Sequence, residues 1–184
     1  APEPGALTVC NDDAVSPCDD GLTGADHVRG CLNPQSGITE LHFTLELPRV
    51  QAGQAPFIDN DTGGGLSRSE AGEVQVGETE PVCLSLALPE GDMMPQAGWP
   101  VVLYGHGMGA TFREGVDTLA PVVSSEGLAV LGWEAPLHGA RVIGSQTAPL
   151  ALWTNLRNPV AVRGSHFQGA SDIFALVKAI EAFN

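Results

Sequence analysis

The chain has 184 residues, 43% of them hydrophobic, and its 22 acidic and 8 basic residues give a formal net charge of −14. This length and hydrophobic fraction suit a folded globular protein with a buried core, whereas the negative charge disfavours nucleic acids and anionic membranes as partners. No apolar run approaches the ~18 residues that a transmembrane helix requires, so we expect no membrane span.

Residues 1–36 are predicted to form an irregular segment, because they have little apolar content and many turn-forming residues. The four cysteines of the chain are Cys10, Cys18, Cys31 and Cys83. An even number of cysteines beside a segment without a core predicts two disulfides, with three possible pairings. Zinc is the alternative, but no C-x-x-C pair is present. Disulfides predict an extracytoplasmic protein that is secreted, periplasmic or at the cell surface, and the opening Ala-Pro-Glu-Pro would suit a mature N terminus.

Residues 37–184 are predicted to form a second unit, which begins with antiparallel strands. Apolar and polar residues alternate over Ile38–Leu47 and again over Val82–Leu88, a pattern typical of half-buried strands. A short strand is also expected at Val74–Val76, and the glycine-rich stretch 51–72 is expected to be a loop.

Three acidic residues of that loop have the spacing of calcium ligands. Asp59, Asp61 and Glu70 occupy positions 1, 3 and 12 of an EF-hand loop, and Gly64 occupies position 6. Position 5 is Gly63, which offers no side-chain ligand, and the flanking residues have an extended rather than a helical pattern. Calcium is therefore one hypothesis for a cofactor, and a solvated hairpin loop without metal is the other.

The stretch Trp99–Thr111, which reads WPVVLYGHGMGAT, predicts a strand, a glycine turn and the start of a helix. Thr111 and Glu114 have the spacing of a capping box. A turn of this kind can aim free backbone N–H groups at a developing negative charge. Met108 and Gly109 are the candidate donors, and the alternative is a glycine turn with a purely structural role.

The remaining elements alternate between helix and strand. We expect a helix over about 112–125, a strand over Leu128–Trp133 and a helix over about 166–183, the last capped by Ser165 and Gln168. The expected buried stripe of the last helix is Ala170, Ile173, Phe174, Val177 and Ile180. This order predicts an α/β fold in which parallel β-α-β-α elements follow the antiparallel strands.

The order of these motifs resembles the N-terminal half of a secreted bacterial α/β-hydrolase of the lipase and esterase type. The resemblance covers about residues 38–184 and rests on PVVLYGHGMG, which is similar to the family's H-G-x-G oxyanion loop. It also rests on GLAVLGWEAPLHGAR, which is similar to the next strand and its P-x-H-G turn. The family's next element, the G-x-S-x-G turn that carries the nucleophilic serine, does not occur in the sequence.

The resemblance implies a carboxylic ester hydrolase whose catalytic triad lies on a missing or separate C-terminal chain, so that this chain alone is expected to be inactive. The backbone N–H of Met108, with Gly109 as a second candidate, would stabilise the oxyanion. His106 is expected to hold the loop beside the substrate pocket, and Leu152 and Trp153 either line that pocket or only pack beneath the other half. The expected substrate is a small-molecule, lipid or polyester ester, and no cofactor is required.

A second hypothesis comes from a different class of function. Under this hypothesis the chain is a non-catalytic secreted domain with a binding or structural role, built on a degenerate hydrolase scaffold. Calcium would be a possible ligand.

Overall fold

A computed structural model describes residues 5, 7–11, 14–18, 31, 35–91, 93–142 and 149–182. The predicted irregular segment therefore lies largely outside the described residues. In chain order the described strands are β1 (Thr8–Val9), β2 (Ile38–Arg49), β3 (Gln51–Gly53), β4 (Gly63–Leu66), β5 (Glu78–Pro89), β6 (Val101–Gly105) and β7 (Ala129–Trp133).

Five of these strands form one mixed sheet in the spatial order β1-β2-β5-β7-β6. The pairs β1–β2, β2–β5 and β5–β7 are antiparallel, and β6–β7 is parallel. The chain is thus a mixed α/β fold with a mostly antiparallel sheet, which agrees with the predicted fold class but does not confirm the first half of an α/β-hydrolase sheet. The parallel part within the described residues is limited to β6 and β7.

The strand predictions differ from the structure at two places. The alternating pattern ends at Leu47, but β2 continues to Arg49 and Pro48 lies opposite Thr79 in the ladder with β5. The predicted loop 51–72 contains β3 and β4, which form a small antiparallel sheet of their own, and the strand expected at Val74–Val76 is reduced to an isolated bridge with Arg68.

The described helices are α1 (Glu114–Thr118), α2 (Ala120–Val123), α3 (Pro149–Trp153) and α4 (Pro159–Ala182). The single helix predicted over about 112–125 is wrong: α1, α2 and a 3₁₀ turn at Ser124–Glu126 replace it. Pro121 explains the break, because proline has no N–H to donate and its ring clashes with the preceding turn. Gly127 ends the segment in the left-handed conformation, with φ +72°.

Helix α4 begins earlier than the predicted cap at Ser165. The side chain of Asn158 accepts a hydrogen bond from the N–H of Ala161 at 3.1 Å, and Pro159 occupies the first helical position, where its missing N–H costs nothing. Ser165 and Gln168 are instead buried inside the helix.

The buried face of α4 was also predicted wrongly. Ile173, Phe174 and Val177 are exposed to solvent, whereas the buried side consists of small and polar residues and one leucine. Those residues are Ala161, Gly164, Ser165, Gln168, Asp172, Leu176 and Ala179. Helical periodicity of apolar residues failed here because the polar residues find partners elsewhere in the chain. Gln168, for example, accepts the N–H of Val50 at 2.8 Å.

Helices cover both faces of the large sheet. On one face, Leu176 and Ala179 of α4 pack with apolar residues of the central strands. The strand residues of this cluster are Phe43, Leu45, Leu47, Val82, Leu84, Leu131 and Trp133. On the other face, Val116 of α1 and Ala120 of α2 pack on Val130 of β7. The second face therefore meets the segment that follows β6.

Two disulfides, predicted from the cysteine count, join Cys10 to Cys31 and Cys18 to Cys83. The second links the N-terminal segment to β5 across 65 residues. Disulfides are typical of oxidising, extracytoplasmic environments. None of the helices in the described part of the chain is long and apolar enough to cross a membrane.

Candidate functional site

Two turns meet at the carboxyl ends of the two parallel strands. Residues 106–110 follow β6 and residues 134–138 follow β7. Because β6 and β7 are parallel neighbours, both turns leave the sheet at the same edge. In open α/β sheets this edge is where ligands bind, so we treat the two turns as the candidate site.

The first turn is a hydrogen-bonded β-turn over Gly107–Ala110. The N–H of Ala110 donates to the carbonyl oxygen of Gly107 at 3.1 Å, and Gly109 has φ +82° while Met108 has no positive φ. A negative φ at the second residue followed by a positive φ at the third is the pattern of a type II turn, which favours glycine at the third position. Met108 is therefore the second residue of the turn and is half exposed.

Three consecutive backbone amides of this turn differ in whether they have a hydrogen-bond acceptor. The N–H of Gly107 donates to Oε2 of Glu114 at 2.7 Å, and the N–H of Gly109 donates to Nε2 of His138 at 3.1 Å. Within the described residues, the N–H of Met108 has no hydrogen-bond acceptor. The Gly109 amide is thus already engaged in this structure, and the amide of Met108 is the one left for a ligand.

Glu114 does not form the capping box that the sequence predicts. Its backbone N–H donates to the carbonyl of Thr111 at 3.0 Å, but its carboxylate turns away from the helix start toward the turn. There it accepts the N–H of Gly107 and, at 3.4 Å, the hydroxyl of Tyr104. The carboxylate therefore ties α1 to the turn after β6.

His106 and His138 join the two turns by a reciprocal pair of hydrogen bonds. His138, from the second turn, accepts the N–H of Gly109 in the first. His106, from the first turn, accepts the N–H of Ala135 in the second at 2.9 Å. The two rings also touch edge to face, with centroids 4.7 Å apart. Each turn is therefore held by an imidazole of the other.

The surroundings of His138 favour its neutral form. Its Nδ1 lies 2.9 Å from the carbonyl oxygen of Pro136 and donates its proton there, which leaves Nε2 to accept the Gly109 amide. Burial lowers the pKa of His138, the carbonyl of Pro136 opposes this, and the charges of His106 and Arg141 add to the lowering.

His106 shows the opposite behaviour because it faces a buried carboxylate. Burial disfavours its imidazolium, but the hydrogen bond and charge of Glu134, the Gly107 carbonyl and the charge of Glu114 together raise the pKa of His106. Its Nε2 lies 3.3 Å from Oε1 of Glu134 and 2.9 Å from the Ala135 amide nitrogen, and one proton cannot serve both contacts. Neutral His106 accepts from Ala135, and protonated His106 donates to Glu134.

The two apolar residues predicted near the pocket have different environments. Leu152 is buried with Phe57, Leu137 and Ala161, so its side chain packs in a small core. Trp153 is half-buried and lies beside the second turn, where its Nε1–H donates to the carbonyl oxygen of Pro136 at 3.1 Å.

The structure does not gather the predicted calcium ligands. In the described residues, Asp59, Asp61 and Glu70 do not bring three ligand atoms within 4.8 Å of one another. The carboxylate of Asp59 pairs with Arg157, and β4 occupies the middle of the proposed loop. Calcium binding remains an untested prediction, without the geometry of an EF-hand.

A buried polar network on the sheet face below α1 was not predicted from the sequence. Arg113 binds Glu40 through two contacts, Nε–Oε1 at 2.7 Å and Nη2–Oε2 at 2.8 Å. Oε1 of Glu40 also accepts the Nε2–H of His42 at 2.6 Å and the hydroxyl of Ser85 at 3.1 Å. Burial would raise the pKa of Glu40, but the bonds and charges of Arg113 and His42 lower it to about 2.

Ser16, His42 and Glu40 of this network form a hydroxyl–imidazole–carboxylate series, since Ser16 Oγ lies 2.8 Å from His42 Nδ1. None of the three is more than 2% exposed, so no ester could reach the hydroxyl. The carboxylate is also engaged by Arg113. This series stabilises the fold and is not a catalytic triad. The residues of the network come from distant parts of the chain, so local spacing could not reveal it.

Comparisons with known proteins give one match, to a solved structure. No protein-family model matches the chain, and no curated protein matches it. A solved structure, the PEG-bound complex of a novel cold-adapted esterase from an Arctic intertidal metagenomic library, aligns with a TM-score of 0.41 at 19% sequence identity. The alignment covers 80% of this chain and 47% of the esterase, so this chain spans about half the length of that protein.

Proposed function

We propose that the chain is the N-terminal portion of a secreted serine ester hydrolase, in which the backbone N–H of Met108 is one of the two oxyanion donors. The observation that carries this proposal is the arrangement of three amides in the turn after β6. The amides of Gly107 and Gly109 are held by Glu114 and His138, and that of Met108 is left without an acceptor in the described residues. An oxyanion hole requires an amide of this kind at the end of a strand.

In the proposed reaction a serine from another segment attacks the ester carbonyl. Its proton passes to a histidine, the tetrahedral oxyanion forms, and the alcohol leaves to give an acyl-enzyme that water hydrolyses. The Met108 amide and the amide that follows the serine would share the negative charge. Neither His106 nor His138 suits the role of general base, because each Nε2 accepts a backbone amide and each Nδ1 contacts a carbonyl oxygen.

An open sheet edge beside an apolar groove supports the proposal that another segment supplies serine, acid and histidine. β6 is an edge strand with β7 on one side, and the other side of β6 is open in the described structure. A groove of about 370 Å³ runs along it between the segment 97–100 and α4, where Val101, Leu103, Val177 and Ile180 form part of the lining. An added strand would satisfy the edge of β6, and apolar side chains would fill the groove.

Phe174 of α4 is 75% exposed and Ile173 is 42% exposed, so the apolar surface continues over the helix. We propose that a second chain, the C-terminal half of the same enzyme, covers this surface and pairs with β6. On this proposal the present chain is inactive by itself, and the substrate is a small-molecule, lipid or polyester ester whose acyl group lies near Met108 and Trp153.

Labelling with a fluorophosphonate, followed by intact mass spectrometry of the purified protein, tests the proposal. We expect the label on a co-purifying segment that contains G-x-S-x-G and no label on residues 1–184. Co-expression of that segment should restore hydrolysis of p-nitrophenyl esters. A chain that purifies as a stable monomer and neither binds such a segment nor gains ester hydrolysis from it would overturn the proposal.

A further inference from the structure

We propose that His138 is a positioning residue for the oxyanion turn, acting through the Gly109 amide, and that Glu114 assists it through the Gly107 amide. The inference deepens the proposed function and rests on it for its catalytic consequence. It goes beyond the turn itself, since it assigns a role to a histidine that follows a different strand, 29 residues further along the chain.

The geometry of a β-turn explains why the Gly109 bond matters. The central peptide of the turn consists of the carbonyl of Met108 and the N–H of Gly109, and rotating that peptide converts a type II turn into a type I turn. His138 Nε2 accepts the N–H of this peptide at 3.1 Å and therefore favours the type II form. The Met108 N–H belongs to the preceding peptide, whose carbonyl, that of Gly107, accepts the Ala110 N–H.

Glu114 fixes the other side of the same turn. Its carboxylate accepts the Gly107 N–H at 2.7 Å, so the peptide before that of Met108 is also held. The Met108 amide thus lies between two peptides, each bound by a side chain from another element. Preorganisation of this kind lets an amide meet a developing oxyanion without first being reoriented.

Only the form of His138 with an unprotonated Nε2 can hold the turn. The carbonyl of Pro136 receives the Nδ1 proton, and the charged groups around the ring are His106 and Arg141, with the buried Glu134 at the start of the same turn. The charge of Arg141, and that of His106 whenever it is protonated, disfavour a second proton on His138. Acid that protonates Nε2 removes the acceptor of the Gly109 amide and releases the central peptide.

The hydrogen bond itself can be observed by NMR, because an N–H···N bond transmits a scalar coupling between its two nitrogens. In the ¹⁵N-labelled 184-residue chain we expect a correlation between the Gly109 amide nitrogen and His138 Nε2 at neutral pH. It should vanish in His138→Phe and, in the unmutated chain, as His138 is protonated. Absence of the correlation at neutral pH, with both nitrogens assigned, would overturn the inference whether or not the protein is an esterase.

Kinetics of the complete enzyme test the catalytic consequence. His138→Phe keeps a ring but removes the acceptor, and we expect kcat to fall roughly 10- to 100-fold with KM within about twofold. His138→Gln offers an oxygen acceptor and should recover most of the loss. Ser125→Ala, at an exposed hydroxyl that bonds the Val122 carbonyl before the amino end of β7, should retain full kcat.

The outcomes separate the two proposals. An unmutated enzyme without ester hydrolysis refutes the proposed function, and the NMR correlation then decides the positioning of the turn by itself. An active enzyme in which folded His138→Phe keeps its kcat, or His138→Gln loses as much as His138→Phe, overturns the positioning role alone. If His138→Phe does not fold, His138→Gln and the pH dependence of the correlation in the unmutated chain provide the same decision.

Discussion

Replacing Glu40 by glutamine should remove a pH-dependent part of the folding stability. Arg113 contacts both carboxylate oxygens of Glu40, and the pKa of this buried carboxyl falls from its ordinary value of 4.5 to about 2. Because one pKa unit corresponds to about 1.4 kcal/mol, the ionised form contributes about 3 kcal/mol to the free energy of unfolding. Glutamine resembles the protonated acid, so Glu40→Gln should lose about this amount at pH 7.

The sign of the pH dependence follows from the lowered pKa. The contribution is complete above pH 4.5, the value for the unfolded chain, and disappears as the pH falls toward 2 and the folded form takes up its proton. The difference in unfolding free energy between the unmutated chain and Glu40→Gln should therefore be about 2 kcal/mol smaller at pH 3 than at pH 7.

Urea unfolding at the two pH values, followed by circular dichroism, measures this difference. Glu78→Gln is the matched control, because Glu78 pairs with Arg49 at 2.7 Å but its side chain is 71% exposed. A surface pair of this kind contributes little, so the control should stay within about 0.5 kcal/mol at both pH values. A gap for Glu40→Gln below about 1 kcal/mol at pH 7, or a gap that does not change with pH, would refute the reasoning.

Two further predictions concern the packing of α4 on β4 and the stabilising effect of a disulfide. In Gly164→Ala the added Cβ would overlap the carbonyl oxygen of Gly64, so we expect a loss of about 2–3 kcal/mol in thermal or urea unfolding. Gly169→Ala, on the same helix with its nearest neighbour at 3.8 Å, should be neutral or up to about 1 kcal/mol more stable; equal effects would contradict the packing. Removal of the Cys18–Cys83 disulfide, which spans 65 residues, should cost about 4 kcal/mol, and a cost below about 1 kcal/mol would mean that it does not restrain the unfolded chain.

Local patterns predicted the strand and the first turn of the candidate site. The apolar run Val101–Tyr104 and the glycines after it predicted a strand that ends in a tight turn, and both are present. The glycine at position 109 is explained by its φ of +82°. These features depend on neighbours in the sequence, which is why they could be read from it.

Features that depend on distant residues could not be read in this way. Helical periodicity selected Ile173 and Phe174 of α4 as buried, yet the helix buries Gln168 and Asp172, whose partners Val50 and Arg141 lie far away in the sequence. A polar face becomes the inner face when every buried polar group finds a partner.

The side chains that hold the turn of the candidate site could not be predicted either, because their contacts form only in the folded chain. Glu114 was interpreted as a helix cap because of its distance from Thr111, and its bond to the Gly107 amide became visible only in the structure. Likewise the bond between His138 and Gly109 requires the parallel pairing of β6 and β7, which brings the ends of the two strands together. The sequence predicts the turn but not the side chains that hold it.

Replacing Met108 by proline tests the central claim most directly, because proline removes the one backbone N–H to which the account assigns the oxyanion. The second position of a type II turn favours proline, and the Met108 amide has no acceptor within the described residues, so the fold should keep its melting temperature. Met108→Ala, which keeps the amide, is the matched control.

In the complete enzyme the account predicts that Met108→Pro lowers kcat for a p-nitrophenyl ester by roughly 100- to 1,000-fold, whereas Met108→Ala stays within about fivefold of the unmutated enzyme. A folded Met108→Pro variant that hydrolyses the ester as fast as Met108→Ala would contradict the assignment of the Met108 amide as an oxyanion donor.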